Sequence, residues 1–432
     1  MAMLNSTEAR LLEAVSEDRL VSLCSRLVRT PTVSPHSGDR APSGELAGQE
    51  MVEGVLQGLG AGTERVLCRD ELFDRAGVLA PHGRQTEGRP NVVGSVTLGD
   101  GRGPVIMLDA HMDTVAVDHY EGEAFSGIVR DGFIHGRGSS DDKQGVSVML
   151  EALRVLVSSG LGYRGRLICC SVVDEECDGA GRGTLACLEH VGRVDAVVVL
   201  DGARGMVYPG CTGVVTGEVV VAGRAGHAAQ GTSVNAIEKA VALMPAFAAF
   251  REARGDLPGA MNLGVFQAGD HPANVPNRAR LAFNAKTTQE DMEAARKAYG
   301  LDNGRLVREL FERCLDEGIG QDAFLREHRP QVRWIKDVPA AVQSAGAGLA
   351  LCEGMAQAGA DGGDERPGLG LLGGWGDIAH VIRAGIPAVG MGAGFPGAAH
   401  SATEKVAIRD LVGTARTLVL GLHRLLTGAL KP

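Results

Sequence analysis

Aromatic residues make up only 4% of this 432-residue chain, so its cores are expected to rest on Val, Leu and Ala rather than on rings. Positive charge is also short. There are 43 Lys and Arg against 53 Asp and Glu, a formal net charge of −10, and no basic cluster. A nucleic-acid or anionic-membrane surface needs the opposite balance, which leaves small-molecule chemistry. No run reaches the roughly 18 apolar residues of a membrane-spanning helix. No Gly-x-Gly-x-x-Gly follows an early strand and no Gly-Lys-Ser/Thr follows a Gly-rich loop, which argues against dinucleotide and P-loop chemistry. The nine cysteines lack Cys-x-x-Cys spacing, and an odd number excludes a complete disulfide framework. Cys169 and Cys170 lie inside an apolar run, where a thiol packs as a small hydrophobe. The opening MAMLNSTEARLLEAVSEDRL carries acids and no uninterrupted apolar core. It does not read as a secretory signal, and a reduced, cytoplasmic location is the expectation.

What the chain does have is 62 glycines and polar residues set where buried strands should end. Val105 to Leu108 reads as a buried strand, and it leads into Asp109, His111 and Asp113 of VIMLDAHMDTV, groups that a core strand does not normally carry. Side chains two apart on an extended segment share a face, so His111 and Asp113 can act together. A metal-binding imidazole usually has its other ring nitrogen held by a carboxylate, and Asp113 is placed for that. Downstream, IHGRGSSDDKQG sets Asp141 and Asp142 after a Gly-rich turn and before the apolar-periodic Val146 to Leu156. Two carboxylates ahead of a helix also make an ordinary N-cap, the better reading of that half taken alone.

Helical spacing runs from Leu11 to Leu27 and from Gln49 to Leu59. Strands at about 91–97, 105–108, 167–173 and 196–200 alternate with helices at about 142–157 and 185–190. This order predicts an α/β fold, a mixed, mostly parallel sheet flanked by helices. Ligands in such sheets bind beyond the carboxyl ends of the strands. The strand at 167–173 leads to Asp174, Glu175 and Glu176, and the strand at 196–200 leads to Asp201. The run Ile386 to Met391 leads through GAGFPGAA to His400. From Cys211 to Trp334 the pattern changes: GEVVVAG, a helix from Asn235 to Arg254, the alternating RARLAFNAK, and a charged helical segment from Glu290 to Glu317. An inserted α+β unit follows, dividing the chain into 1–210, 211–334 and 335–432. The insertion explains why His400 stands so far from the other polar strand ends.

His111, Asp141, Glu176, Asp201 and His400 supply two imidazoles and three carboxylates. That exceeds one tetrahedral zinc and suits two divalent ions, each with one His, one terminal carboxylate and the shared Asp141. A nitrogen and oxygen set without thiolate points to zinc first, with cobalt and manganese compatible. Glu175, beside Glu176 at a strand end, points another way and is the expected general base.

HMDTV, GRGSSDDKQG, DEECDGAGRGT, VVVLDGA, GRAGHAAQGTSVNAI, GGWGD followed by GIPAVGMGAG, and AHSATEKV resemble, in order and spacing, the co-catalytic zinc amidohydrolases. That family includes acetylornithine deacetylase, succinyl-diaminopimelate desuccinylase, aminoacylase and glutamate carboxypeptidase. The resemblance spans the chain from about residue 20. It implies a catalytic domain interrupted by a lid domain that in many members dimerises through a helix and an edge strand, hence a homodimer. It implies His111, Asp201 and Asp141 around one ion, Asp141, Glu176 and His400 around the other, Glu175 as base and Asp113 behind His111. It also implies a cis bond between Asp141 and Asp142. His227 in GRAGHAA matches the lid histidine that, in dimeric members, steadies the oxyanion in the partner's site.

The implied reaction is hydrolysis of an N-acyl amino acid or a related N-acylated small molecule by a metal-activated water. A dipeptidase or carboxypeptidase is the alternative within the class. A non-catalytic metal-binding homologue is disfavoured because neither base nor ligand is missing. The departures lie on the substrate side. ANVP replaces an NVIP-like motif, putting Ala273 at the usual Asn position and shifting the amide to Asn274. Lys286 replaces an arginine, a point charge for a two-pronged fork. GGWGDIA replaces GGTSDGR, bringing Trp375 beside Asp377. Asn274, Lys286, Trp375 and Asp377 are the substrate-side candidates, and succinyl-diaminopimelate is not the expected substrate.

Overall fold

The apolar run at Val105 forms the strand its composition asks for. In the computed structural model, which describes residues 4–227, 229, 231–363 and 365–431, Val105–His111 is buried along nearly its whole length. It lies inside an eight-stranded sheet ordered Gly62–Val66, Asn91–Leu98, Gly165–Val172, Val105–His111, Ala196–Val199, Ala388–Met391, Met206–Tyr208, Gly368–Leu369. Four of these, Gly165–Val172, Val105–His111, Ala196–Val199 and Ala388–Met391, are adjacent and parallel. The two outer strands on one side pair antiparallel. The sheet is therefore mixed, with a parallel centre.

Both faces of that centre are covered, which is why its strands read as continuous apolar runs rather than as alternating ones. Ile106 and Leu108 face a core built with the helices Lys143–Ser158 and Ile408–Thr427 through Val146, Leu153, Leu411 and Leu418. Met107 faces the other side, against Cys187, Ile378 and Val381 of Arg182–Val191 and Ile378–Arg383.

Two helices expected as single pieces are each broken. The segment from Leu11 to Leu27 forms Ser6–Glu13 and Glu17–Arg29, because the Ser16 side chain accepts from the Arg19 N–H and starts a new helix. Asn235 to Arg254 forms Ala236–Ala242 and Met244–Ala253. Pro245 has no N–H to continue the first helix and suits the opening turn of the second.

The chain divides into two compact units, one of Met1–Ala76, His82–Cys211 and Ala341–Pro432, the other of Gly77–Pro81 and Thr212–Ala340. The second division falls at 340 rather than 334, because the strand Gln331–Val338 pairs with Gly213–Ala222 as far as Val338 opposite Val214. Gly77–Pro81 belongs there too, through paired backbone bonds between Leu79 and Asp337. Within the second unit an antiparallel sheet, ordered Met261–Ala268, Arg278–Thr287, Gly213–Ala222, Gln331–Val338, packs against helices. Its core departs from the aliphatic expectation: Phe247, Phe250, Phe283, Phe311 and Trp334 meet mostly edge to face. Among the described residues no helix is long and apolar enough to cross a membrane.

Candidate metal centre

The four adjacent parallel strands end on one edge of the sheet, and each carries chemistry there. His111 is the last residue of its strand, Asp174, Glu175 and Glu176 follow Val172, Asp201 follows Ala196–Val199, and the loop after Met391 reaches His400. The fifth contributor, Asp141, precedes the helix Lys143–Ser158. Asp142 beside it takes the capping role, accepting from the Gly145 N–H at 3.2 Å and, through its other oxygen, from the His111 N–H at 3.2 Å. The bond between the two acids is cis. One acid of the pair is thus used by the backbone and the other faces the site.

Asp141 turns one oxygen to each imidazole: His111 Nε2 lies 2.8 Å from Oδ1, and His400 Nε2 lies 3.4 Å from Oδ2. His400 Nε2 also lies 2.8 Å from Glu176 Oε1. The donor atoms fall into two groups, His111–Asp141–Asp201 and Asp141–Glu176–His400, each with all its atoms within 4.8 Å of one another. A carboxylate common to two such groups is disposed as a bridge.

The charges test whether cations fit. Among the described residues no lysine or arginine pairs with Asp141, Glu175, Glu176 or Asp201; the ion-pair partners of Asp141 and Glu176 are the two histidines. Burial pushes the Asp201 carboxyl up to about 7, with Asp141 adding repulsion. Burial likewise holds Glu175 well above its ordinary value, against the pull of His111. Glu176 sets the opposite balance at His400, raising that imidazole to about 12. Carboxylates this crowded and this poor in counter-charge are costly to keep ionised. Two divalent cations with oxygen and imidazole ligands answer that excess, so the residues fit.

His111 shows how its support is arranged. Its Nδ1 lies 3.0 Å from the Asp113 backbone carbonyl, an acceptor for a ring N–H, and Nε2 is the nitrogen directed at the site. The Asp113 carboxylate is 3.7 Å from that nitrogen, too far for a hydrogen bond. It accepts instead from the N–H groups of Glu175 at 3.4 Å and Glu176 at 3.1 Å. Asp113 therefore supports His111 twice, by its carbonyl and by a carboxylate 3.7 Å away, while the hydrogen bonds of that carboxylate anchor the loop of the two glutamates.

Peptidase family M20/M25/M40 matches residues 107–423, a span that contains every one of these groups. The chain belongs to that family. A curated relative, the N-formyl-4-amino-5-aminomethyl-2-methylpyrimidine deformylase of Halalkalibacterium halodurans, is 26% identical over 94% of both chains. The succinyl-diaminopimelate desuccinylase of a Nitratiruptor species is 30% identical, but over 45% of this chain and 57% of its own. Human carnosine dipeptidase 1 shares the fold at a TM-score of 0.74 with 14% identity, over 98% of this chain and 99% of its own. As a member of the family the chain is a metal-dependent hydrolase acting on carbon–nitrogen bonds.

The remaining candidates of this M20 hydrolase fall in different places. Asp377 is buried, its Oδ2 2.7 Å from the Thr184 hydroxyl that also approaches Asp109, while its Oδ1 has no hydrogen-bond partner among the described residues. Trp375 stacks edge-on against His380 at 5.3 Å and fills the space over Gly181, so packing accounts for its ring. His227, Asn274 and Lys286 belong to the second unit. His227 and Asn274 face each other across a two-residue ladder, both exposed, with the Asn274 amide donating to Asp270. Lys286 is half-buried near the far end of Arg278–Thr287, beside Gly259. Eight residues of strand separate it from Arg278, roughly 27 Å at 3.4 Å per residue, so within one chain the structure does not bring Asn274 and Lys286 together.

Two supports escaped the sequence reading. Asp174, the first acid of the DEE run, is held by three arginines: Arg89 at 2.8 Å, Arg182 at 2.6 Å and Arg84 at 3.4 Å. Arg89 also grips Glu45 with two bonds of 2.7 Å. No local pattern flags these residues. Glu404 is the other, and its place in AHSATEKV, four residues after His400, was the signal available.

Proposed function

We propose that the chain removes an acyl group from the nitrogen of an N-acylated small molecule, using water activated at a two-metal site. The observation that carries this is Asp141, one oxygen toward His111 and the other toward His400, with Glu175 in the same acidic cluster. His111 and Asp201 would hold one ion, Glu176 and His400 the other, and Asp141 would hold both. Two such ions, zinc first and cobalt or manganese next, supply the Lewis acidity that makes water nucleophilic near neutral pH. Glu175 takes the proton from the attacking water and delivers it to the leaving nitrogen, and its raised pKa suits a group that must do both. His227 donates to the carbonyl oxygen as negative charge builds there, in the partner's site of a homodimer. Exposed Ile237 and Val241 on one helix of the second unit, with Phe266 on its edge strand Met261–Ala268, support that dimer. All nine cysteines are free, which suits a reducing, cytoplasmic setting.

On the substrate side, Ala379 stands where the resembling desuccinylase motif has arginine, and Lys286 is remote from Asn274. Both favour an amine portion without a carboxylate, the kind of molecule named for the deformylase relative. The test is a panel of N-formyl and N-acetyl amines, N-acyl amino acids and dipeptides, scored by free amine released. Turnover of acylated amines, abolished by chelation and restored by zinc or cobalt, is expected. Cleavage of dipeptides alone, or full activity after metal removal, would overturn the reading.

A further inference from the structure

Glu404 is fully buried, yet it belongs to neither group of metal-binding residues. Its carboxylate serves the loop that presents Asp141. Oε2 accepts from Arg137 Nη1 at 2.7 Å and from the Gly138 N–H at 3.0 Å; Oε1 accepts from the N–H groups of Ser140 at 2.8 Å and Asp141 at 3.1 Å. Four donors on one ionised acceptor form a strong, directional clamp. The Glu404 carbonyl accepts from Gly136 at 3.1 Å and from the Tyr120 hydroxyl at 3.2 Å. A second tie runs from the Phe395 N–H to Ser140 Oγ at 2.9 Å. The segment 395–404, which carries His400, is thereby fastened at both ends to the segment 136–141, which carries Asp141.

Resting on the two-metal reading above, we propose that Glu404 is a positioning residue that couples the two metal positions. Asp141 is common to both groups, so whatever fixes its backbone fixes both. His400 serves only one group, but its loop is anchored by the same carboxylate. An ion bound at either position orders the shared loop for the other, and loading is cooperative. Glutamine at 404 keeps the shape but replaces one acceptor oxygen with an NH₂ group, which would face two donors.

The test measures zinc affinity by competition with a chromophoric chelator, alongside thermal unfolding of the metal-free protein, for wild type, Glu404→Gln and His400→Ala. Outer partners of metal ligands typically change affinity about 10- to 100-fold. Glu404→Gln should weaken both ions within that range and lose cooperativity, whereas His400→Ala should lose one ion and keep the other. A purely structural role would lower the unfolding temperature and leave both affinities of the folded protein unchanged, and that result overturns the proposal. So does loss of a single ion from Glu404→Gln. Should that variant not fold, Ser140→Ala, which cuts only the tie to Phe395, decides: binding roughly two- to tenfold weaker at both positions is expected from one lost hydrogen bond, and unchanged binding refutes the coupling. Wild type that takes up no ions fails the two-metal reading itself, a different outcome from wild type that binds two ions beside an indifferent Glu404→Gln.

Discussion

Asp174 and Glu175 are neighbours in the chain with opposite surroundings. Burial works against the Asp174 charge, but Arg89, Arg84 and Arg182 more than offset it and hold its carboxyl below the ordinary value. Among the described residues no arginine or lysine pairs with Glu175, and burial leaves it well above. The first acid is neutralised by the protein and braces its surroundings; the second is left short of counter-charge, the condition that the proposed proton transfer needs. The loop that these two acids open needs the bracing, since Asp174, Cys177, Asp178 and Ala180 all hold positive φ, conformations that non-glycine residues adopt at a cost. Chemistry and support alternate here residue by residue.

The sharpest way to break this contrast is Glu175→Gln. Turnover should fall by about 10²- to 10⁴-fold, the usual contribution of a general acid–base, while two ions still bind. Retained turnover in that variant would remove Glu175 from the reaction, and loss of an ion would make it a ligand instead. Stability of the metal-free protein should change little, because the amide keeps the shape of a carboxyl that is already held well above its ordinary value.

Asp174→Asn should do the reverse. It leaves three buried guanidinium groups facing a neutral amide, and breaking such a pair typically costs about 3–5 kcal/mol. A large drop in the urea midpoint is expected, with the folded fraction still binding two ions. An unchanged midpoint would show that the arginines do not depend on Asp174.

His380 offers a smaller and slower-varying effect on the same loop. Burial lowers its imidazole to about 4, although the Ala180 carbonyl, 2.8 Å from Nε2, favours the ring N–H. The folded protein therefore holds His380 neutral where the unfolded chain would protonate it. Its stabilising contribution is complete above about pH 6.5 and is lost as pH falls toward 4, by about 2 kcal/mol between pH 7 and pH 5. His380→Gln keeps a donor to Ala180 and should flatten the pH dependence of unfolding by that amount; an identical slope in both proteins would contradict it.

Much of the frame was legible in the sequence. Continuous apolar runs located the central strands, and the rule that polar residues after parallel strands gather at one edge singled out His111, Glu176, Asp201 and His400. The pair Asp141 and Asp142 was legible as a helix start, but which acid caps and which faces the site depends on where His111 lies. The Asp113 carboxylate pairs with His111 at 3.7 Å, as their shared face suggested, but its hydrogen bonds go to the Glu175 and Glu176 amides, which only the fold brings near. The second unit's extra strand partner, Gly77–Pro81, has no periodicity of its own and is recruited only by Asp337.

By itself the sequence determined which segments are buried and which side chains emerge at their ends, because both follow from local alternation of apolar and polar residues. Only the tertiary structure decided what each emerging acid does. That choice turns on partners 85 residues away, as Arg89 is from Asp174, or 263 away, as Glu404 is from Asp141. A carboxylate is a brace or a reagent according to the charges within a few ångströms of it, and those distances do not exist until the chain has folded.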